Sequence, residues 1–121
     1  MQYSATAKYI HASTRKVRLL ADSVRKLAPA AALLQLMHMP KSAAAPLAKV
    51  IASAIANAKQ KNANEKTLKM SRIEVMGGAV MKRWHAVSRG QAHAYKKRMT
   101  HIRVVLTDEG AKKAVPSGRQ E

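Results

Sequence analysis

The sequence has no cysteine and no phenylalanine, a single tryptophan, and only 6 acidic residues against 23 Lys and Arg in a chain of 121. Without cysteine there is no disulfide framework and no thiolate chemistry, which suits a reducing compartment. Without phenylalanine, and with Trp84 alone, the bulky apolar face of a membrane-surface helix is missing. No apolar run approaches transmembrane length. The first thirty residues carry Lys8, Arg15, Lys16, Arg18, Arg25 and Lys26 and contain no apolar core of signal-peptide length. The expectation is a soluble, intracellular chain with no membrane partner.

The scarcity of acid is uneven, and its distribution is the most informative feature. From Val75 to Thr107 there is no Asp or Glu, while Lys82, Arg83, Arg89, Lys96, Lys97, Arg98 and Arg103 are present, with His85, His93 and His101 among them. Apolar alternation flanks this stretch and Gly90 lies near its centre, so it reads as a long basic hairpin at about residues 79–100. A lone hairpin is marginal in water, and repulsion among its cations weakens it further. A polyanion would supply the missing stabilisation. The whole-chain charge of +17 points the same way, with nucleic acid as the default partner.

The length suits one small domain, taken as residues 1–107, with 108–121 as a small, charged, disordered tail. Tyr3, Ala5, Ala7 and Tyr9 alternate with Ser4, Thr6 and Lys8, the period of a strand with one face turned inward. Ser13 caps a helix whose inner stripe is Val17, Leu20, Ala21, Val24 and Leu27. Pro29 opens a second, short helix with Ala32, Leu33 and Leu36 on its buried side, closed before Pro40. Leu47, Val50, Ile51, Ala54, Ile55 and Ala58 mark a third helix. Its start is open to two readings: Ser42 caps a helix that loses a bond at Pro46, or the regular helix begins nearer Pro46. Leu68 and Met70 share one phase and Ile73 and Val75 the other, so a strand with a slip near Ser71 and Arg72 is expected. Ile102, Val104 and Leu106 face one way in the last strand. The order of strand, three helices and two strands joined by a long arm gives an α+β domain.

Catalysis and metal binding have little to stand on. His85, His93 and His101 are eight apart without a nearby carboxylate, which is not zinc-ligand spacing. A ribonuclease built on those histidines would sit on an exposed arm with no pocket to exclude water. Gly77-Gly78 reads as a bulge or bend before it reads as a phosphate nest. No enzyme activity, metal or cofactor is expected. The basic residues carry more: Arg15, Lys16 and Arg18 form one cluster on the first helix, and Lys82, Arg83, Arg89, Lys96, Lys97 and Arg98 form a second on the arm. Trp84 and Tyr95 either stack on exposed bases or pack across the hairpin. An architectural DNA-binding protein with basic β-arms is the rival reading, although no extended dimer seam is evident and no homo-oligomer is expected.

Four segments carry a resemblance. They are Arg15-Lys16-Val17-Arg18-Leu19-Leu20-Ala21-Asp22, Ser53-Ala54-Ile55-Ala56-Asn57-Ala58, Met81-Lys82-Arg83, and Lys97-Arg98-Met99-Thr100-His101-Ile102 running into Val104-Val105. In this order, from about Ala5 to Thr107, the chain resembles ribosomal proteins of the large subunit, in the bacterial form of the family numbered twenty-two. The resemblance implies three helices packed on a three-stranded antiparallel sheet with a long projecting hairpin. It also implies binding to large-subunit ribosomal RNA beside neighbouring ribosomal proteins, a part in early assembly, and a place in the cytoplasm, in the ribosome. The hairpin tip, here Trp84, His85, Ala86, Val87, Ser88, Arg89, Gly90, Gln91 and Ala92, would help line the nascent-peptide exit tunnel, meet the nascent peptide and adjoin the macrolide-binding region. Three departures stand out: Thr14 in place of the usual proline, Met76-Gly77 in place of an acidic pair, and Val87 and Gln91 in place of tip cations.

Overall fold

The computed structural model describes residues 1–108; the expected tail falls outside this range except for Asp108. The elements run β1 (Gln2–Ile10), α1 (Thr14–Val24), α2 (Pro29–Met37), α3 (Ala44–Gln60), a short 3₁₀ turn (Glu65–Thr67), β2 (Lys69–Ala86) and β3 (Ala92–Thr107). The sheet is antiparallel in the order β1-β3-β2, with three helices packed on it, so the α+β expectation stands. Asp108 is no part of a free tail, because its carboxylate accepts a hydrogen bond from the Tyr3 hydroxyl at 3.1 Å.

Local chemistry explains the helix starts. The Ser13 hydroxyl accepts from the Lys16 N–H, occupying one of the unpaired donors at the start of α1. Pro29 takes the first position of α2, where its fixed φ and missing N–H cost nothing. In α3 the Ser42 cap is not formed and the helix starts nearer Pro46: Ala43 is the cap residue, and Pro46 falls in the first turn. An N–H there has no helical partner, so proline deletes no bond.

The core forms where α3 crosses the sheet. Leu47, Val50, Ile51, Ala54, Ile55 and Ala58 are buried against Tyr3 of β1, Ile73 of β2 and Ile102, Val104 and Leu106 of β3. Register places Tyr3, Ala5 and Ala7 opposite Leu106, Val104 and Ile102 on one face. Asn57 fastens α3 to the edge strand by donating from Nδ2 to the Ser4 carbonyl at 2.8 Å. The expected slip near Ser71 is present as a register shift between Met70 and Arg72.

One expected inward residue is placed otherwise. Tyr9 is 58% exposed, with φ of 59°, because β1 shifts register against β3 between Ala7 and Ile10. Its left-handed backbone is held from outside the strand, by an N–H bond to His101 Nδ1 at 3.0 Å. Leu27 lies beyond the end of α1 yet is half-buried and packs against the core, as its spacing suggested.

Candidate nucleic-acid interface

Beyond the body, β2 and β3 continue as a two-stranded ribbon. Paired residues run from Val80 opposite Arg98 to Ala86 opposite Ala92, which is roughly 23 Å of ladder at about 3.3 Å per residue. Residues 87–91 close it. Arg89 and Gly90 both have positive φ, at 61° and 70°, and the Gln91 N–H donates to the Ser88 carbonyl. That sign pattern matches the twist of a tight hairpin, and glycine occupies one of its two positions without steric cost.

A bulge joins arm to body. Gly77 pairs with Thr100 and Val80 with Arg98, so Gly78 and Ala79 together oppose Met99. The glycine pair is thus a bend, as its sequence suggested. A Cβ on Gly78 would lie 3.0 Å from His101 Cε1 and 3.2 Å from the Met99 carbonyl oxygen. His101 therefore fills the space beside Gly78 while its Nδ1 holds the Tyr9 N–H and its ring meets the Tyr9 ring edge-on at 4.9 Å. On the core side, buried Thr100 donates to the Ala12 carbonyl at 2.6 Å and meets the Thr14 hydroxyl at 3.4 Å. Two side chains of β3, on opposite faces, so fix the arm to β1 and to the start of α1. The sequence marks Thr14 only as a departure and Thr100 only within a resemblance segment, and their meeting is not legible there because it joins residues 86 positions apart. We expect Gly78→Ala to lower the stability of the body by about 1–3 kcal/mol through overpacking, read as a shifted urea midpoint at constant slope. An unchanged midpoint would contradict the seating of His101.

The structure sets the first expected basic cluster near the base of the arm that carries the second. The Thr14–Thr100 contact sets the first turn of α1, and with it Arg15 and Lys16, beside the base of the arm. Both are exposed cations at the positive end of a helix that has no acid in its first turn, an unfavourable placement for a free molecule. Arg18 is partly committed elsewhere, because its Nη2 donates to the Val75 carbonyl at 3.1 Å. Arg25 Nη1 does the same to Ile73 at 3.3 Å, so α1 covers the outer edge of β2 in the body. Sequence reasoning missed this role, since edge carbonyls carry no residue signature.

The carboxylates of the described residues are all occupied in the body. Asp22 pairs with Arg25, Glu65 with Lys59, Glu74 with both Arg72 and Arg103, and Asp108 with Tyr3. Lys82, Arg83, Arg89, Lys96, Lys97 and Arg98 are exposed, and none joins an ion pair among the described residues. Lys82 stands directly opposite Lys96. Like charges so placed destabilise the ribbon unless an anion lies between them.

The aromatic residues near the tip separate. Tyr95 stacks on His85 with centroids 4.0 Å apart and planes at 14°, whereas Trp84 faces Ala94 and is 69% exposed. His85 and His93 are directly opposed, but no group of three metal-ligating side chains exists among the described residues. A shallow apolar groove between β1 and α3, lined by Ala5, Ala7, Ile10, Pro46 and Val50, has only Lys49 as a titratable group. Among the described residues, no helix is long and apolar enough to cross a membrane.

Comparison with known proteins gives this arrangement a family. Residues 5–107 match the family model described as ribosomal protein L22p/L17e. The chain is 42% identical over 110 residues to the large ribosomal subunit protein uL22 of Syntrophus aciditrophicus, covering 90% of this chain and 100% of the relative. It is 41% identical over 106 residues to uL22 of Desulfatibacillum aliphaticivorans, covering 88% and 98%. Against uL22 of Desulfosudis oleivorans the identity is 37% over 111 residues, covering 92% and 97%. A match across almost the whole folded body and arm is decisive, and the chain belongs to the ribosomal protein L22p/L17e family of large-subunit structural proteins.

Proposed function

We propose that the protein binds large-subunit ribosomal RNA along a track from Arg15, Lys16 and Arg18 on α1 to Lys82, Arg83, Arg89, Lys96, Lys97 and Arg98 on the arm. In doing so it supports subunit assembly and presents residues 84–92 to the nascent-peptide exit tunnel. Family membership places it in the cytoplasm, in the ribosome, among neighbouring ribosomal proteins. One observation carries the RNA reading: the carboxylates of the described residues are spent on the body, and the arm cations have none. The body contributes rigidity, since Thr100 and His101 fix the direction in which the arm leaves the sheet. Phosphates supply the countercharge, and the ribbon's length lets it pass between packed RNA helices.

Arg15 and Lys16 test the body's share without disturbing the fold, because both are exposed and make no side-chain bond among the described residues. We expect Arg15→Gln with Lys16→Gln to flatten the log-log dependence of RNA affinity on salt by about 1.4–1.8, since each phosphate contact contributes about 0.7–0.9. The unfolding midpoint should stay in place. Arg18→Gln should both flatten the slope and loosen α1 from β2, because its guanidinium also serves Val75. Salt titration of wild type and variants on a large-subunit RNA fragment measures each slope. An unchanged slope in the double variant would remove α1 from the interface.

A further inference from the structure

The two faces of the arm differ in chemistry. β3 keeps its phase through the bulge, so Arg98, Lys96, Ala94 and Ala92 continue the face that holds Leu106, Val104, Ile102 and Thr100 in the body. Their partners put Lys82 opposite Lys96, Trp84 opposite Ala94 and Ala86 opposite Ala92 on that same side. The other face pairs Met81 with Lys97, Arg83 with Tyr95 and His85 with His93; Lys97 is exposed there, but the aromatic and guanidinium groups find partners within the face, since Tyr95 stacks on His85 and Arg83 donates to the Met81 sulfur and the Lys82 carbonyl. On the first face nothing is satisfied. Two ammoniums oppose each other, and one pair further along an indole lies open among alanines too small to cover it.

We infer that Lys82, Lys96 and Trp84 form a nucleotide-sized site, in which the two ammoniums hold one RNA phosphate and the indole stacks on an adjacent unpaired base. Residues two apart on a strand are separated by roughly 6.6 Å, which is within the span from a backbone phosphate to a base in one nucleotide. The phosphate relieves the Lys82–Lys96 repulsion, and the base covers an indole face that would otherwise remain in water. Alanines 86, 92 and 94 leave that face unobstructed. Stacking tolerates any base, so the site adds affinity and registers the RNA without reading sequence. This site rests on the RNA-binding reading above and assigns Trp84, and not Tyr95, as its base platform.

Trp84 is the only tryptophan in the chain, so its emission reports this site alone. The intact protein is titrated with single-stranded oligoadenylate and, separately, with inorganic polyphosphate, which has the charge without the bases. Saturable quenching by oligoadenylate, with emission unchanged by polyphosphate, is expected. Trp84→Ala should weaken oligoadenylate binding about tenfold and leave polyphosphate binding and the salt slope as they were. Trp84→Phe should restore most of the loss, and Lys82→Gln with Lys96→Gln should weaken both ligands. Equal emission changes with the two polyanions, or full oligoadenylate affinity in Trp84→Ala, would overturn the site. Salt-sensitive binding with silent emission would defeat this inference alone, whereas salt-insensitive binding would defeat the RNA reading beneath it. In assembled subunits, Trp84→Ala should expose one unpaired base to chemical modification. Unchanged RNA reactivity together with altered peptide-dependent stalling would show the indole facing the nascent peptide, and the site would be wrong.

Discussion

Glutamine at Lys82, Arg83, Lys96, Lys97 and Arg98 together is expected to lower affinity for large-subunit ribosomal RNA by on the order of 10³-fold at about 0.1 M salt, and to flatten the salt slope by roughly 4. The size follows from counterion release, since each phosphate neutralised frees condensed cations whose entropy is worth most at low salt. The fold should not suffer. These side chains are exposed and take part in no ion pair among the described residues, and removing their mutual repulsion should steady the ribbon. Binding isotherms at several salt concentrations, beside a urea unfolding curve, check both halves. Loss of affinity accompanied by unfolding of the body would mean that the arm cations serve structure instead of RNA.

The main elements of this fold are legible in the sequence wherever the cause is local. Ser13 announces a helix start because its own side chain supplies the missing acceptor, and Pro29 does so through its own φ. The six-residue stripe of α3 is buried as its spacing requires. What escapes is non-local. Tyr9 follows the inward alternation of β1 yet turns out to solvent, because an acceptor on His101, 92 residues away, stabilises its left-handed backbone. Val105 breaks the alternation of β3 by being 1% exposed, as a residue of the central strand with a partner on each side. The basic residues of the candidate interface are visible as an acid-free run, and their division into two faces is not. That division depends on the Gly77–Val80 bulge, which changes the phase of β2 while β3 keeps its own.

Replacing residues 83–95 by Asn-Gly, so that a tight turn joins the paired Lys82 and Lys96, is expected to leave the body's unfolding transition within about 0.5 kcal/mol of wild type. None of the buried core residues lies in the deleted segment, and the Thr100 and His101 anchors at the arm's base remain. The change should be confined to the place the arm reaches. Large subunits carrying the truncation should assemble, with altered chemical reactivity of RNA around the exit tunnel and altered peptide-dependent stalling. Restoring cations by Val87→Arg with Gln91→Arg in the full-length chain should act oppositely, increasing protection of RNA near the tip. Unfolding of the truncated body, or reactivity changes only far from the tunnel, would contradict a division of labour between anchored body and reaching arm.

The central claim, that the acid-free ribbon is held by RNA along its length, is tested most directly by a density map of the large subunit with this chain assembled in it. The account predicts phosphates within hydrogen-bonding distance of Arg15, Lys16, Lys82, Lys96, Lys97 and Arg98, and residues 84–92 at the tunnel wall. An arm lying on the subunit surface, with those cations facing solvent or protein carboxylates, would contradict it.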